Sequence, residues 1–185
     1  SWRHRREPEV STYWKLPSCQ ASLTPTDISF EEASEQTRRL LDAAVQRQML
    51  SDVPVGGFLS GGIDSSILSH LASQKAGSRL GTFSVGYDQE GFNEWESIRE
   101  NAHYHGVQND EIRLNRADYL SDWSWLIGEK GLPLSTPNEV PMYRLANSFS
   151  SKYKVALSGE GADEVVGGYL LPTFTAFDWD RMHRG

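Results

Sequence analysis

Two apolar runs that each end in a glycine-rich segment most constrain the fold of this chain. The first, DVPVGGFLSGGIDSS, covers residues 52–66, and the second, KVALSGEGADEVVGGY, covers residues 154–169. A short apolar run that stops at such a segment is typical of a buried strand that runs into a loop. In open α/β sheets, ligands bind at loops beyond the carboxyl ends of the strands. We therefore expect both glycine segments to face one crevice.

Strand and helix signals alternate along most of the chain. Strands are predicted at residues 53–59, 79–87, 109–115 and 154–158, with the third signal the weakest. Helices are predicted from residue 29 to near residue 49, from about residue 63 to 77, and at residues 93–105, 117–127 and 139–150. This alternation predicts an α/β fold with a doubly wound, mostly parallel sheet that carries helices on both faces.

Local signals place the ends of several helices. Ser29 and Glu32 have the spacing of a capping box, and Asn138 is predicted to cap the helix that follows it. Pro133, Pro137 and Pro141 are predicted to hold the chain in a loop. Core-facing positions are predicted at Ile67, Leu68, Leu71 and Ala72 in one helix and at Tyr119, Leu120, Trp123 and Ile127 in another.

Composition excludes several classes of function. A formal net charge of −7 over 185 residues disfavours general affinity for nucleic acid or for a membrane surface. The chain contains no apolar stretch of about 18 residues, so no transmembrane helix is expected. A single cysteine, Cys19, rules out an internal disulfide and favours a reducing compartment, which predicts a cytoplasmic location. The length favours one domain.

The first glycine segment has the chemistry of a phosphate loop. Backbone N–H groups between a strand and a helix bind anions, and serine hydroxyls add donors. It is not a Walker A loop, because Ile63 and Asp64 stand where that motif requires Lys and Ser or Thr. Without that lysine, a bound triphosphate needs another cation, and Asp64 is a suitable oxygen ligand for Mg²⁺.

The second segment begins like a dinucleotide-binding fingerprint but does not complete one. Gly159 and Gly161 follow a predicted strand, yet Glu164 occupies the position of the third glycine. Together with Glu160 and Asp163, it forms an acidic cluster that would repel a dinucleotide pyrophosphate unless a metal or a proton-transfer step used it. The alternative reading is a solvated acidic turn.

Together these motifs resemble the C-terminal synthetase domain of the glutamine-hydrolysing asparagine synthetase family. SGGIDS at residues 60–65 resembles the pyrophosphate loop of the N-type ATP pyrophosphatases, the PP-loop superfamily. VALSGEGADEVVGGY (155–169) closely resembles the corresponding segment of the asparagine synthetase family. DVPVGGFLSGGIDSS (52–66), FSVGY (83–87) and PNEVPMYRLA (137–146) resemble it in the same order, as does YW at residues 13 and 14. The resemblance covers about residues 10–170 and implies an adenine nucleotide alpha hydrolase-like fold.

The resemblance implies ATP-dependent amide synthesis with ATP and Mg²⁺ as cofactors. Aspartate is converted to β-aspartyl-AMP with release of pyrophosphate, and ammonia, supplied from glutamine in the full-length enzyme, then yields asparagine. The implied nucleotide contacts are Leu59, Ser60, Gly61, Gly62, Asp64, Ser65, Val85, Ser158 and Gly159. The implied metal ligands are Asp64 and Asp163, and Glu160 is the implied catalytic carboxylate, acting as a base if burial and like charge raise its pKa.

Departures from the family pattern define the expected organisation. Residues 1–26 are expected to be a lead-in from a missing glutaminase domain, residues 27–172 a synthetase domain truncated at its C-terminus, and residues 173–185 a tail without assignment. Cys19 lies among prolines and is expected to be a bystander, so this polypeptide should not hydrolyse glutamine. The family's later helical segments, which supply a lysine to the adenylation site, are also expected to be missing.

Three alternative functions stay open on the sequence alone. The chain is a relative that forms amides or lactams from another carboxylate, a nucleotide-binding fragment that does not turn over, or a structural docking domain. The expected partners are ATP, aspartate, ammonia and the missing glutaminase domain, with a homodimer as a candidate assembly.

Overall fold

The computed structural model describes residues 10–14, 27–76, 80–89, 91, 93–166 and 168. Its elements are α1 (Phe30–Gln48), β1 (Val55–Phe58), α2 (Ile63–Ala76), β2 (Gly81–Tyr87), α3 (Trp95–His105), β3 (Gln108–Leu114), α4 (Arg116–Lys130), α5 (Glu139–Ser150), β4 (Val155–Leu157) and α6 (Ala162–Val166). The chain divides into two units, Ser1–Arg38 and Arg39–Gly185, with the boundary inside α1. The sheet and the helices that follow it belong to the second unit.

The four described strands form one parallel sheet in the order β3-β2-β1-β4. Because the chain moves outward from β1 to β3 and then returns to the other side of β1, the order reverses between β1 and β4. A crevice opens at such a reversal, beyond the carboxyl ends of the strands. The predicted α/β class and the parallel, doubly wound sheet are confirmed.

Helices cover both faces of the sheet. On one face Phe83 packs with Leu145 and Phe149 of α5. On the other, Leu59 packs with Ile98 and Ala102 of α3, while Leu80 joins a cluster with residues of α1 and α2. Successive side chains of β2 point to opposite faces of the sheet, so burying this strand requires helices on both faces.

Polar side chains inside the sheet are satisfied locally. Thr82 and Ser84 are each about 1% exposed, and both donate hydrogen bonds to the side-chain oxygen of Asn109, at 3.0 Å. The single hydroxyl proton of Ser84 is shared between Asn109 and the carbonyl of Leu59 at the end of β1. These bonds remove the cost of burying two hydroxyl groups and tie the end of β1 to β2.

The predicted start of α1 is confirmed. The N–H of Glu32 donates to Ser29 Oγ at 3.1 Å, as expected of a residue that caps a helix.

Two predictions about α5 require correction. Pro141 lies in the first turn of the helix and not in a loop, which is allowed because first-turn N–H groups have no partner within a helix. Asn138 occupies the cap position, but its side chain makes no capping bond. The carboxylate of Glu139 turns back to the preceding loop, where it accepts from the N–H groups of Ser135 and Thr136 at 2.5 and 3.3 Å.

Three predicted core positions are exposed. Ile67 in α2 is 42% exposed, and Leu120 and Ile127 in α4 are 54% and 37% exposed. In α4 the buried position is Asp122, which accepts two hydrogen bonds from Arg144 of α5. A charged pair therefore joins α4 to α5 where the apolar spacing predicted hydrophobic contacts.

An ion cluster links α3 to β3. Arg99 donates two hydrogen bonds to Glu111, at 2.6 and 2.8 Å, and Arg113 donates a third at 3.0 Å. The bond from Arg99 is the main reason that the pKa of Glu111 lies below its ordinary value, with Arg113 adding to the effect. Arg113 also lies over the ring of Trp95, 5.3 Å from its centroid.

Candidate functional site

A cavity of about 430 Å³ opens at the carboxyl ends of β1, β2 and β4. It is lined by every residue that the sequence predicted for the site except Gly61, namely Leu59, Ser60, Gly62, Asp64, Ser65, Val85, Ser158, Gly159, Glu160 and Asp163. The two glycine segments, far apart in the chain, thus share one crevice as predicted, because β1 and β4 are neighbours in the sheet.

The loop after β1 is held in shape by its own serines. Ser65 Oγ accepts from the N–H of Ser60 at 3.0 Å and lies 2.8 Å from Ser60 Oγ. Ser60 Oγ in turn accepts from the N–H of Gly62 at 3.1 Å. Since the helix α2 begins immediately afterwards, at Ile63, its first-turn N–H groups point out of the helix end. That arrangement suits an anion at the mouth of the loop.

The loop after β4 approaches the first loop closely. A Cβ atom on Gly159 would lie 3.2 Å from Asp64 Cβ and 3.3 Å from the Ser65 nitrogen, so a glycine there allows the two loops to meet. Gly161 has a φ of +91°, a left-handed conformation that favours glycine. Directly after it, α6 begins and brings Asp163 and Glu164 to the cavity. The sequence did not predict this short helix.

The cavity is strongly acidic. Its described lining includes the carboxylates of Asp64, Glu94, Glu160, Asp163 and Glu164, and no Lys, Arg or His is among those lining residues. Within the described ranges, no group of three or more His, Cys, Asp or Glu side chains is arranged to hold a metal ion by itself. Asp64 and Asp163 offer the one or two carboxylates through which Mg²⁺ is usually held when phosphates supply the other ligands.

The backbone bonds of Leu59 and the exposure of Val85 and Glu160 limit how these three residues could act in the site. Leu59 uses both backbone groups within the protein, donating to the Phe83 carbonyl at 3.0 Å and accepting from Ser84 Oγ. A contact between Leu59 and a nucleotide base would therefore use the remaining lone pair of its carbonyl. Val85 is half-buried, and Glu160 is exposed, so the burial assumed for the predicted role of Glu160 is not supplied by the described residues.

Two polar residues that line the cavity, Asn93 and Glu94, are absent from the site that the sequence predicts. The sequence predicts both inside a helix over residues 93–105, but α3 begins at Trp95. Both residues precede the helix and line the cavity. The local sequence offers one signal, which is that Asn93 and Glu94 stand side by side at the start of a helix. That signal predicts a cap for α3, and it does not predict a contact with the loop after β1.

Other predicted features lie outside the described residues. These are Cys19, Gly77, most of the lead-in and the tail over residues 173–185. In the part of the chain that the structure does describe, no helix has both the length and the apolar character needed to cross a membrane.

Comparison with known proteins gives consistent similarities. A family model described as asparagine synthase matches residues 36–184. The chain is 37% identical over 160 residues to glutamine-hydrolyzing asparagine synthetase 1 of Bacillus subtilis, covering 86% of this chain and 24% of that protein. It is 35% identical over 145 residues to glutamine-hydrolyzing asparagine synthetase 1 of Arabidopsis thaliana, covering 72% of this chain and 24% of that protein.

The chain spans about a quarter of the length of these curated relatives. Among solved structures, an NH3-dependent NAD synthetase from Campylobacter jejuni aligns with a TM-score of 0.49 at 16% identity, covering 77% of this chain and 61% of that one.

Proposed function

Because the chain belongs to the asparagine synthase family, we propose that it is the ATP-binding part of a ligase that makes an amide through an acyl-adenylate. The observation that carries the proposal is the shared cavity. A serine-glycine loop and an acidic loop, from adjacent parallel strands, meet at the reversal of strand order, where α/β sheets bind ligands.

The proposed reaction has two steps. A carboxylate oxygen of aspartate attacks the α-phosphorus of ATP, the bond to the bridging oxygen breaks, and pyrophosphate leaves with that electron pair. Ammonia, derived from glutamine in the full-length enzyme, then attacks the acyl carbon of β-aspartyl-AMP, loses a proton and displaces AMP to give asparagine. Activation is needed because the oxide of a free carboxylate is a poor leaving group, whereas AMP is a good one.

The residues of the first loop are proposed to bind the leaving pyrophosphate. Ser60 and Ser65 fix the loop, and the N–H groups at the start of α2 supply donors towards the phosphates. Positioning of this kind, together with stabilisation of developing charge, accounts for most catalysis of phosphoryl and nucleotidyl transfer. Val85 and Leu59 form the apolar side of the cavity, where the adenine is proposed to lie.

The acidic lining supports a requirement for Mg²⁺. ATP would enter a cavity with five carboxylates and no described cationic side chain, so its charge must be offset by a bound cation. Asp64 and Asp163 are the proposed ligands, and the metal would neutralise charge on the phosphates. Glu160 is proposed to accept the proton from ammonia, with bound substrate covering this exposed carboxylate.

A second candidate function follows from the same lining. No Lys or Arg among the described residues lines the cavity, so the described part of the chain offers no cationic side chain there to stabilise the transition state. It would then bind Mg·ATP without turnover. A cytoplasmic location, predicted from the single cysteine, and a homodimeric assembly stay predictions.

Two measurements on the chain test these functions. Calorimetry should detect binding of ATP only with Mg²⁺, and Asp64→Ala should weaken it more than about tenfold, a loss of about 1.4 kcal/mol. Asp52→Ala, a change at an exposed aspartate before β1, is the matched control and should bind like the unchanged protein. Equal binding by Asp64→Ala would contradict a role for this loop in holding ATP.

Exchange of labelled pyrophosphate into ATP separates the two candidates. Exchange that depends on aspartate supports the ligase, exchange with another carboxylic acid reassigns the substrate to a related amide- or lactam-forming reaction, and binding without exchange supports the second candidate. In the full-length enzyme, Glu160→Gln should keep nucleotide binding and lose amide formation. Unchanged turnover would remove Glu160 from the mechanism.

A further inference from the structure

Glu94 occupies the cap position of α3 but does not use its side chain there. Its carboxylate reaches across the cavity edge and accepts a hydrogen bond from the N–H of Gly61, at 2.9 Å. The fit is close: a Cβ on Gly61 would lie 2.9 Å from both Glu94 Cβ and Glu94 Oε2. Glu94 packs directly on Gly61 and leaves no room for a side chain at this position.

The segment that carries Glu94 is anchored on both sides. Before it, the amide side chain of Asn93 bonds to both the N–H and the carbonyl of Tyr87, each at 2.6 Å. After it, Trp95 packs on Gly86, where an added Cβ would lie only 2.5 Å from Trp95 Cζ2. Glu94 thus projects from a fixed frame formed by the end of β2 and the start of α3.

The contact completes the internal bonding of the loop after β1. The N–H groups of Ser60, Gly61 and Gly62 are taken by Ser65 Oγ, Glu94 and Ser60 Oγ, respectively. Two adjacent glycines have more backbone freedom than any other pair, so a loop that contains them needs external constraints to hold one shape. The serines provide two of these constraints, and Glu94 provides the third.

We propose that Glu94 is a positioning residue for the pyrophosphate loop: it fixes the Ser60–Gly61 peptide so that the N–H groups at the start of α2 converge on the phosphates. It acts through the loop and makes no contact with substrate. This role rests on the proposed function, since it presupposes that the loop binds pyrophosphate.

A competing role for Glu94 predicts the opposite change in pyrophosphate affinity. If the carboxylate of Glu94 instead competed with phosphate for the Gly61 N–H, removing it would strengthen binding of an anion. Positioning requires that removing it weakens binding. Affinity for pyrophosphate therefore distinguishes the two roles without any measurement of turnover.

The test compares four variants of the 185-residue chain by calorimetry with Mg²⁺ and either pyrophosphate or AMP. Glu94→Ala should weaken pyrophosphate binding about tenfold and leave AMP binding within about twofold. Glu94→Gln keeps an oxygen acceptor of the same reach and should recover most of the affinity. Glu94→Asp keeps the charge but shortens the reach, and should bind as weakly as Glu94→Ala. Glu96→Ala, an exposed glutamate in the same helix, is the control and should match the unchanged protein.

Each other outcome overturns a specific statement. Pyrophosphate binding that Glu94→Ala leaves unchanged or strengthens refutes the positioning role alone. Equal losses for pyrophosphate and AMP indicate a general structural role and also refute it, as does better binding by Glu94→Asp than by Glu94→Gln. No pyrophosphate binding by the unchanged protein overturns both this role and the proposed function.

Discussion

Gly56 and Gly57 are neighbours in β1 that face opposite sides of the sheet, and we predict opposite effects when each is replaced by alanine. A Cβ on Gly56 would lie 2.7 Å from Phe149 Cε2, 2.9 Å from the carbonyl oxygen of Gly81 and 3.0 Å from Tyr153 Cγ. A Cβ on Gly57 would meet its nearest atom at 3.6 Å, an ordinary van der Waals distance. Both glycines are buried, and neither has a positive φ.

These distances set the expected free energies. Gly56→Ala forces a ring and a strand apart, and overpacking of this kind costs about 1–3 kcal/mol. Gly57→Ala meets no clash and reduces the freedom of the unfolded chain, which stabilises by about 0.4–1 kcal/mol. For a chain of this size, each kcal/mol shifts the Tm by about 2–4 °C, so the Tm of Gly56→Ala should fall by roughly 2–12 °C.

Urea denaturation of both variants, followed by circular dichroism, measures the difference directly. Phe149→Leu removes the ring atom nearest to the new methyl group, so in that background Gly56→Ala should cost less than in the unchanged protein. Equal stability of Gly56→Ala and Gly57→Ala would refute the reasoning, because it would mean that the packing between β1 and α5 is looser than these distances.

Three further predictions follow from single contacts. Ser65→Ala removes the acceptor of the Ser60 N–H and should cost about 1–3 kcal/mol in urea denaturation, while wild-type stability would show that another acceptor replaces it. Folding lowers the pKa of Glu111 from an ordinary value of 4.5, so its stabilisation is present above that pH and is lost as the pH falls through the lower, folded value. Glu111→Gln should therefore flatten the fall of stability below pH 4.5, and an unchanged acid profile would contradict this. Asp122→Ala leaves Arg144 without its main partner and should destabilise by roughly 1.5–3 kcal/mol, whereas a change below the error of the measurement would make the pair dispensable.

The features predicted correctly from sequence are those whose causes lie close together in the chain. The apolar run that ends at Ser60 specifies a strand, a turn and a helix start within a dozen residues. Ser29 caps α1 through a bond to the N–H of Glu32, three residues away. Once each strand and loop is placed, the rule that parallel strands present their loops at one edge brings both glycine segments together.

The features that were missed depend on partners far away in sequence. The bond between Glu94 and Gly61 joins residues 33 apart and depends on which strand lies beside β1. The burial of Asp122 depends on Arg144 approaching from another helix. The capping prediction at Asn138 was wrong for a local reason: Asn138 has helical dihedral angles, φ −70° and ψ −14°, whereas a capping residue usually has extended backbone.

The strand order also sets when the cavity can form as the chain is synthesised. β1 gains one neighbour as soon as β2 is made, but its other edge pairs only with Val155–Leu157 of β4. Roughly 100 residues must be translated in between, which at about 5–20 residues per second leaves that edge open for about 5–20 s. An open strand edge is a template for aggregation. β1 limits that hazard because it is four residues long and contains two glycines. The cavity can thus form only after β4 has been synthesised, when the other three strands can already have folded.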